Sequence, residues 1–61
     1  MSAAEYRATL DRLGLTQAGA ARAIGVDART SRRWALNERP IPEPVSRLLR
    51  LFERFPTARD I

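Results

Sequence analysis

The sequence predicts an all-α fold, a small four- to five-helix bundle, on three observations. Apolar residues recur at three- and four-residue steps. No stretch alternates apolar and polar residues for long enough to make a strand. Gly14, Gly25 and the prolines at 40, 42 and 44 fall between the periodic segments, where they end helices. The 61 residues make one domain, 1–61, with a thin core. A chain this short buries roughly 60% of its unfolded surface, so its stability is marginal without a partner or a staple.

Each helix has its own local reasons. Ser2-Ala3-Ala4-Glu5 fits a capping box, with the serine capping forward and the glutamate reaching back. The helix that follows carries Tyr6, Leu10 and Leu13 on one face, and Gly14 suits the left-handed residue that ends it. Thr16 is an N-cap for a second helix from Gln17 to Ile24, whose small residues at 18, 20, 21 and 23 let another helix approach closely. Gly25 closes that helix in a tight turn. Asp27 caps a third helix from Ala28 to about Leu36, and Asn37 takes the left-handed position after it. Residues 38 to 44 cannot be helical across their prolines and read as a rigid connector rather than a docking peptide. Pro44 opens a fourth helix, about 44–55, with Val45, Leu48, Leu49, Phe52 and Phe55 at helical steps. Phe55-Pro56 stops it, and Thr57 to Ile61 is expected to be loose.

Composition narrows the function classes. With no histidine and no cysteine, zinc sites, disulfides and histidine-based acid–base catalysis are excluded. No glycine-rich phosphate loop and no clustered carboxylates are present either, so no enzyme activity, metal, cofactor or small-molecule substrate is expected. The longest apolar runs are two or three residues, so nothing reads as a membrane span or a signal-peptide core. A reducing cytoplasm is the expected compartment.

Charge is more informative. All eleven basic residues are arginine, against seven acids, for a net +4. GC-rich codon usage would account for that choice as simply as selection for arginine chemistry. From Arg22 to Arg50 lie seven arginines and three acids, while the rest of the chain balances at four of each. The excess therefore sits in the middle of the chain. A local basic field favours a polyanion, nucleic acid before an anionic membrane.

Residues 17 to 36 carry the decisive pattern. Ala21 stands where two helices pack most closely, Gly25 permits the positive φ of a short interhelical turn, and Ile24, Val26 and Trp34 plug the space beneath it. That is the pattern of a helix-turn-helix. The stretch Leu13-Gly-Leu-Thr-Gln17, with Ala21, Ile24-Gly25-Val26 and Trp34, resembles the phage-repressor helix-turn-helix family (Cro and lambda-repressor, or XRE-like) over about residues 5 to 55. The resemblance implies a lambda-repressor-like domain that binds specific double-stranded DNA sequences, as a homodimer on a palindromic operator, and represses transcription. Two positions depart from the family. Ser31 stands where an apolar residue is usual under the recognition helix. Gly19-Ala20 replaces an acidic and a larger apolar residue, and a mid-helix glycine costs about 1 kcal/mol relative to alanine. Both are expected to loosen the second helix.

Helix geometry assigns roles to the third helix. Ser31, Trp34 and Ala35 face inward, which makes Trp34 a core residue rather than a base-stacking platform. Ala28, Arg29, Arg32, Arg33 and Leu36 face outward. Asp27, Ala28, Arg29 and Arg33 match the base-reading positions that the resemblance implies. Arg29 and Arg33 are one turn apart, and an arginine fork fits the O6 and N7 of guanine, so guanines are expected in the half-site. Ala28 suits a thymine methyl, and Asp27 could accept from a cytosine amine instead of only capping. Gln17 opens the second helix beside exposed amides, a natural phosphate clamp. Thr16, Arg22, Arg32, Asn37 and Arg39 flank the groove and are expected on the DNA backbone.

The fourth helix is basic and amphipathic, which also describes a membrane-surface helix, although a core helix with outward charges is the plainer reading. Val45, Leu48 and Phe52 suffice to cover the core. Leu49, Leu51 and Phe55 are then left over, and a twofold homodimer contact would use them. The competing function, of a different class, is an antitoxin-type protein-binding module that masks a toxin and autoregulates its operon.

Overall fold

A computed structural model of the chain describes residues 1–55. Among them are four helices and no strand: α1 (Ala3–Leu13), α2 (Gln17–Ile24), α3 (Ala28–Ala35) and α4 (Glu43–Arg54). The expectation for Thr57 to Ile61 falls outside the described residues, as does the helix stop at Pro56.

Local chemistry sets the ends of the first three helices. Both halves of the Ser2–Glu5 capping box form, with Ser2 Oγ accepting from the Glu5 amide at 3.0 Å and Glu5 Oε1 from the Ser2 amide at 3.2 Å. Gly14 ends α1 at φ 69°, a left-handed conformation open to glycine at little cost. Thr16 and Asp27 cap α2 and α3 from extended backbone, each accepting from the amide three residues on. After α3, Asn37 turns left-handed at φ 62°, and the Glu38 amide donates back to the Arg33 carbonyl at 2.8 Å.

Gly19 is not a mid-helix weakness. It is the third residue of α2, and its amide donates to the Thr16 hydroxyl at 2.9 Å. A Cβ there would stand 3.1 Å from that same hydroxyl, a tight contact that the cap would have to ease by a few tenths of an ångström.

Tyr6, Leu10, Leu13, Trp34 and Phe52 form the heart of the core, and α1 lies against both α3 and α4. The tyrosine ring meets Trp34 edge-on at 5.8 Å, a favoured aromatic geometry. Its hydroxyl bonds Ser31 Oγ at 2.6 Å with both groups fully buried. This explains the polar residue under α3: Ser31 is there to satisfy a tyrosine. Burial pushes the Tyr6 phenol above its ordinary value, so it stays protonated. A second tie runs outside the core, where the Arg7 guanidinium donates to the Ala35 carbonyl at the end of α3. There it satisfies an end carbonyl and places a cation at the negative pole of the helix. Arg12 and Glu53 pair across α1 and α4 at 2.9 Å.

The fourth helix differs from expectation in extent and rotation. It begins at Glu43, with Pro44 as its second residue, and ends at Arg54. Its buried line is Ser46, Leu49 and Phe52, while Val45 and Leu48 are half-buried. Leu49 is therefore core, not surplus. With none of its surface exposed it has nothing to offer a dimer contact, and the surplus reduces to Leu51 and Phe55, 44% and 53% exposed. The reason is the small side chain of Ser46, which makes that edge of α4 the thinner one and lets the helix roll toward it. The cost is a buried Ser46 hydroxyl with no hydrogen-bond partner among the described residues.

Two stability predictions result. Tyr6→Phe leaves the Ser31 hydroxyl unsatisfied and should cost about 1–3 kcal/mol by urea unfolding. Adding Ser31→Ala should restore part of that loss; strict additivity of the two changes would contradict the coupling. Ser46→Ala removes an unpartnered hydroxyl and gains helix propensity, and should raise stability by about 1 kcal/mol in the same assay.

Candidate nucleic-acid interface

The inner side of α3 is fixed by Ser31, Trp34 and Ala35, all buried against the rest of the chain. On a helix of eight residues this dictates the outer side. Ala28, Arg29, Arg32 and Leu36 are exposed and Arg33 is half-buried. Arg29, Arg32 and Arg33 are brought together with Leu36 and Glu38 around an open groove of about 340 Å³. No carboxylate among the described residues forms an ion pair with any of the three arginines.

Asp27 sits at the N-terminal rim of this face. Its carboxylate accepts from the Thr30 amide at 2.7 Å. Hydrogen bonding from Thr30 holds its pKa below the ordinary 3.8, and the nearby charges of Arg29 and Arg33 add to the effect. The cap is thus ionised at neutral pH, and the carboxylate is exposed enough to be met from outside.

The residues expected on phosphates separate into groups. Thr16 and Gln17 line a second groove of about 450 Å³, together with Arg7, Leu10, Asp11 and Leu15. The Arg22 guanidinium folds back along α2, to 4.0 Å from where a Cβ on Gly19 would stand, which puts a cation near the exposed amides of the α2 start. Arg32 belongs to the α3 groove. Asn37 and Arg39 lie beyond the end of α3 and are exposed, and neither lines either groove. Asn37 already has a backbone task, the left-handed turn that closes α3.

Among the residues of these surfaces that escaped the sequence reading are Glu38 and Arg7. Glu38 reaches the α3 groove because the turn at Asn37 folds it back onto Arg33. The signal was the asparagine itself, since a left-handed residue after a helix reverses the chain. Arg7 reaches the second groove while holding the Ala35 carbonyl, a contact across 28 residues that no local pattern carries.

No protein-family model, curated protein or solved structure matches the chain. Its chemistry is therefore argued from the two grooves and the charges around them. Between them they offer guanidinium donors and a helix N-terminus, with one acid in each, Asp11 and Glu38.

The carboxylates set an acid limit. Asp27, Glu5 and Glu53 all have pKa values below their ordinary 3.8 or 4.5, held down by Thr30, Ser2 and Arg12 respectively. A depressed carboxylate contributes stability that is present above the ordinary value and lost as pH falls through the folded one. The melting temperature should therefore hold steady above the 4.5 region and fall below it. Asp27→Asn keeps an acceptor at the cap but no proton to bind, so its acid limb should be shallower; an identical limb would show that Asp27 does not contribute.

Proposed function

We propose that the chain is a sequence-specific DNA-binding transcriptional regulator, in which α2, the turn from Gly25 to Asp27 and α3 act as a helix-turn-helix. One observation supports this reading most: the outer side of α3 presents Arg29 and Arg33 one turn apart and in no ion pair among the described residues, while Ser31, Trp34 and Ala35 anchor its inner side. A rigidly seated helix with a cationic outer side is what major-groove reading needs.

In this proposal α3 enters the major groove N-terminal end first. Arg29 and Arg33 address guanine O6 and N7, Ala28 meets a thymine methyl, and Asp27 remains primarily the cap. Gln17 and Thr16, at the start of α2, bind a backbone phosphate through helix amides, with Arg22 beside them. Arg32, Asn37 and Arg39 supply further backbone contacts. Arg7, already reaching the groove beside Gln17, joins that phosphate set. Operator occupancy would act by repression, with two copies on half-sites about 34–36 Å apart.

The deciding experiment is selection of bound sequences from random duplex DNA with the purified chain, followed by titration of variants. Arg29→Ala and Arg33→Ala should each lose about 1–3 kcal/mol on the selected site and relax preference at one base. Arg39→Ala should weaken all sequences alike. If about five phosphates are neutralised per copy, log K should fall against log salt with a slope near −4 to −5 per copy. Unchanged base preference in both arginine variants would refute the assignment of α3.

A further inference from the structure

The outer side of α4 is a second candidate surface, and it shares no residue with the α3 groove. Glu43, Arg47 and Leu51 follow one another at four-residue steps along α4, and Phe55, the C-cap residue just past its end, continues that stripe. Arg50 and Arg54 form a second stripe beside it. Arg47, Arg50, Leu51 and Arg54 line a shallow groove of about 250 Å³. Leu51 and Phe55 are about half exposed, and Arg54 lies over the Phe55 ring at 5.7 Å. Arg47 pairs loosely with Glu43 at 3.5 Å, and no carboxylate among the described residues closes an ion pair on Arg50 or Arg54.

Charge decides what fits here. A second copy seated by a twofold axis would offer the same net-positive face, three arginines against the one acid Glu43, with only two exposed apolar side chains from each copy to offset the repulsion. A bilayer surface needs a broad apolar face, and α4 has already spent its Ser46, Leu49 and Phe52 side on the core. Duplex DNA would use the arginines and leave Leu51 and Phe55 idle. A helix carrying one apolar stripe flanked by carboxylates would use both, with guanidinium–carboxylate forks around a small apolar centre.

We propose that the outer side of α4 docks an acidic amphipathic helix of another protein, with Leu51 and Phe55 as the apolar anchor and Arg47, Arg50 and Arg54 reading its carboxylates. This docking does not depend on the DNA-binding reading and is tested apart from it. The probe is a synthetic 20-residue amphipathic helical peptide with a leucine stripe flanked by glutamates, and its control replaces every glutamate by lysine. The full chain, isotopically labelled, is titrated with each and followed by NMR and by fluorescence anisotropy of labelled peptide. The acidic peptide should shift amide signals of residues 47–55 and leave those of 27–36 in place. Leu51→Ser and the pair Arg50→Glu with Arg54→Glu should each weaken its binding by about tenfold or more, with thermal unfolding followed by circular dichroism confirming that both variants remain folded. Equal binding of the lysine peptide, or shifts confined to α3, would overturn the proposal. So would self-association in sedimentation that Leu51→Ser abolishes, which would mean that a second copy covers the face. Retention of the chain on vesicles of phosphatidylcholine and phosphatidylglycerol, without binding of the acidic peptide, would assign the face to lipid and overturn it as well.

Discussion

The buried contact of Tyr6 with Ser31 and Trp34 is the constraint on which the rest depends. It joins the first helix to the third at two points, a hydroxyl pair at 2.6 Å and an edge-on aromatic contact at 5.8 Å. A hydrogen bond has direction and an aromatic edge has a preferred angle, so together they fix how far α3 is turned about its own axis. An apolar residue at position 31 would fill space without setting that angle. Because the inner side of α3 is specified in this way, its outer side is specified too, and the arginines at 29, 32 and 33 share one groove. Arg7 reinforces the arrangement by holding the far end of the same helix. The polar residue that looked like a weakness is therefore what orients the candidate site.

The same logic separates the two basic surfaces. On α3, arginines surround a groove with little apolar area beyond Leu36, and the N-terminus of α2 lines a separate groove. On α4, arginines flank two exposed apolar side chains. Phosphate and base edges suit the first arrangement, and a carboxylate-bearing helix suits the second. Net charge alone, at +4, would not distinguish them. What distinguishes them is the apolar content between the charges, since an exposed leucine or phenylalanine contributes to binding only if the partner also removes it from water.

Much of this was legible in the chain, though unevenly. The spans of α1, α2 and α3 follow from their caps, which are local: Ser2, Thr16 and Asp27 each bond an amide three residues on, and Gly14 and Asn37 supply the left-handed turns. The inward Ser31, Trp34 and Ala35 follow from helical period. Leu49 was misplaced because the apolar stripe of α4 is broad enough to be seated at more than one rotation, and periodicity does not choose between them. Glu38 and Arg7 were missed because one depends on a chain reversal and the other on a neighbouring helix.

By itself, then, the sequence determined the spans of α1, α2 and α3 to within a residue and which residues of α3 face outward, because those depend on hydrogen bonds and spacings within a few residues. Only the tertiary structure decided the roll of α4 toward Ser46, the burial of Leu49 and the tie from Arg7 to Ala35. Each of these results from fitting one helix against another. The energy of that fit depends on side-chain sizes and polar partners far apart in the chain, which no single segment contains.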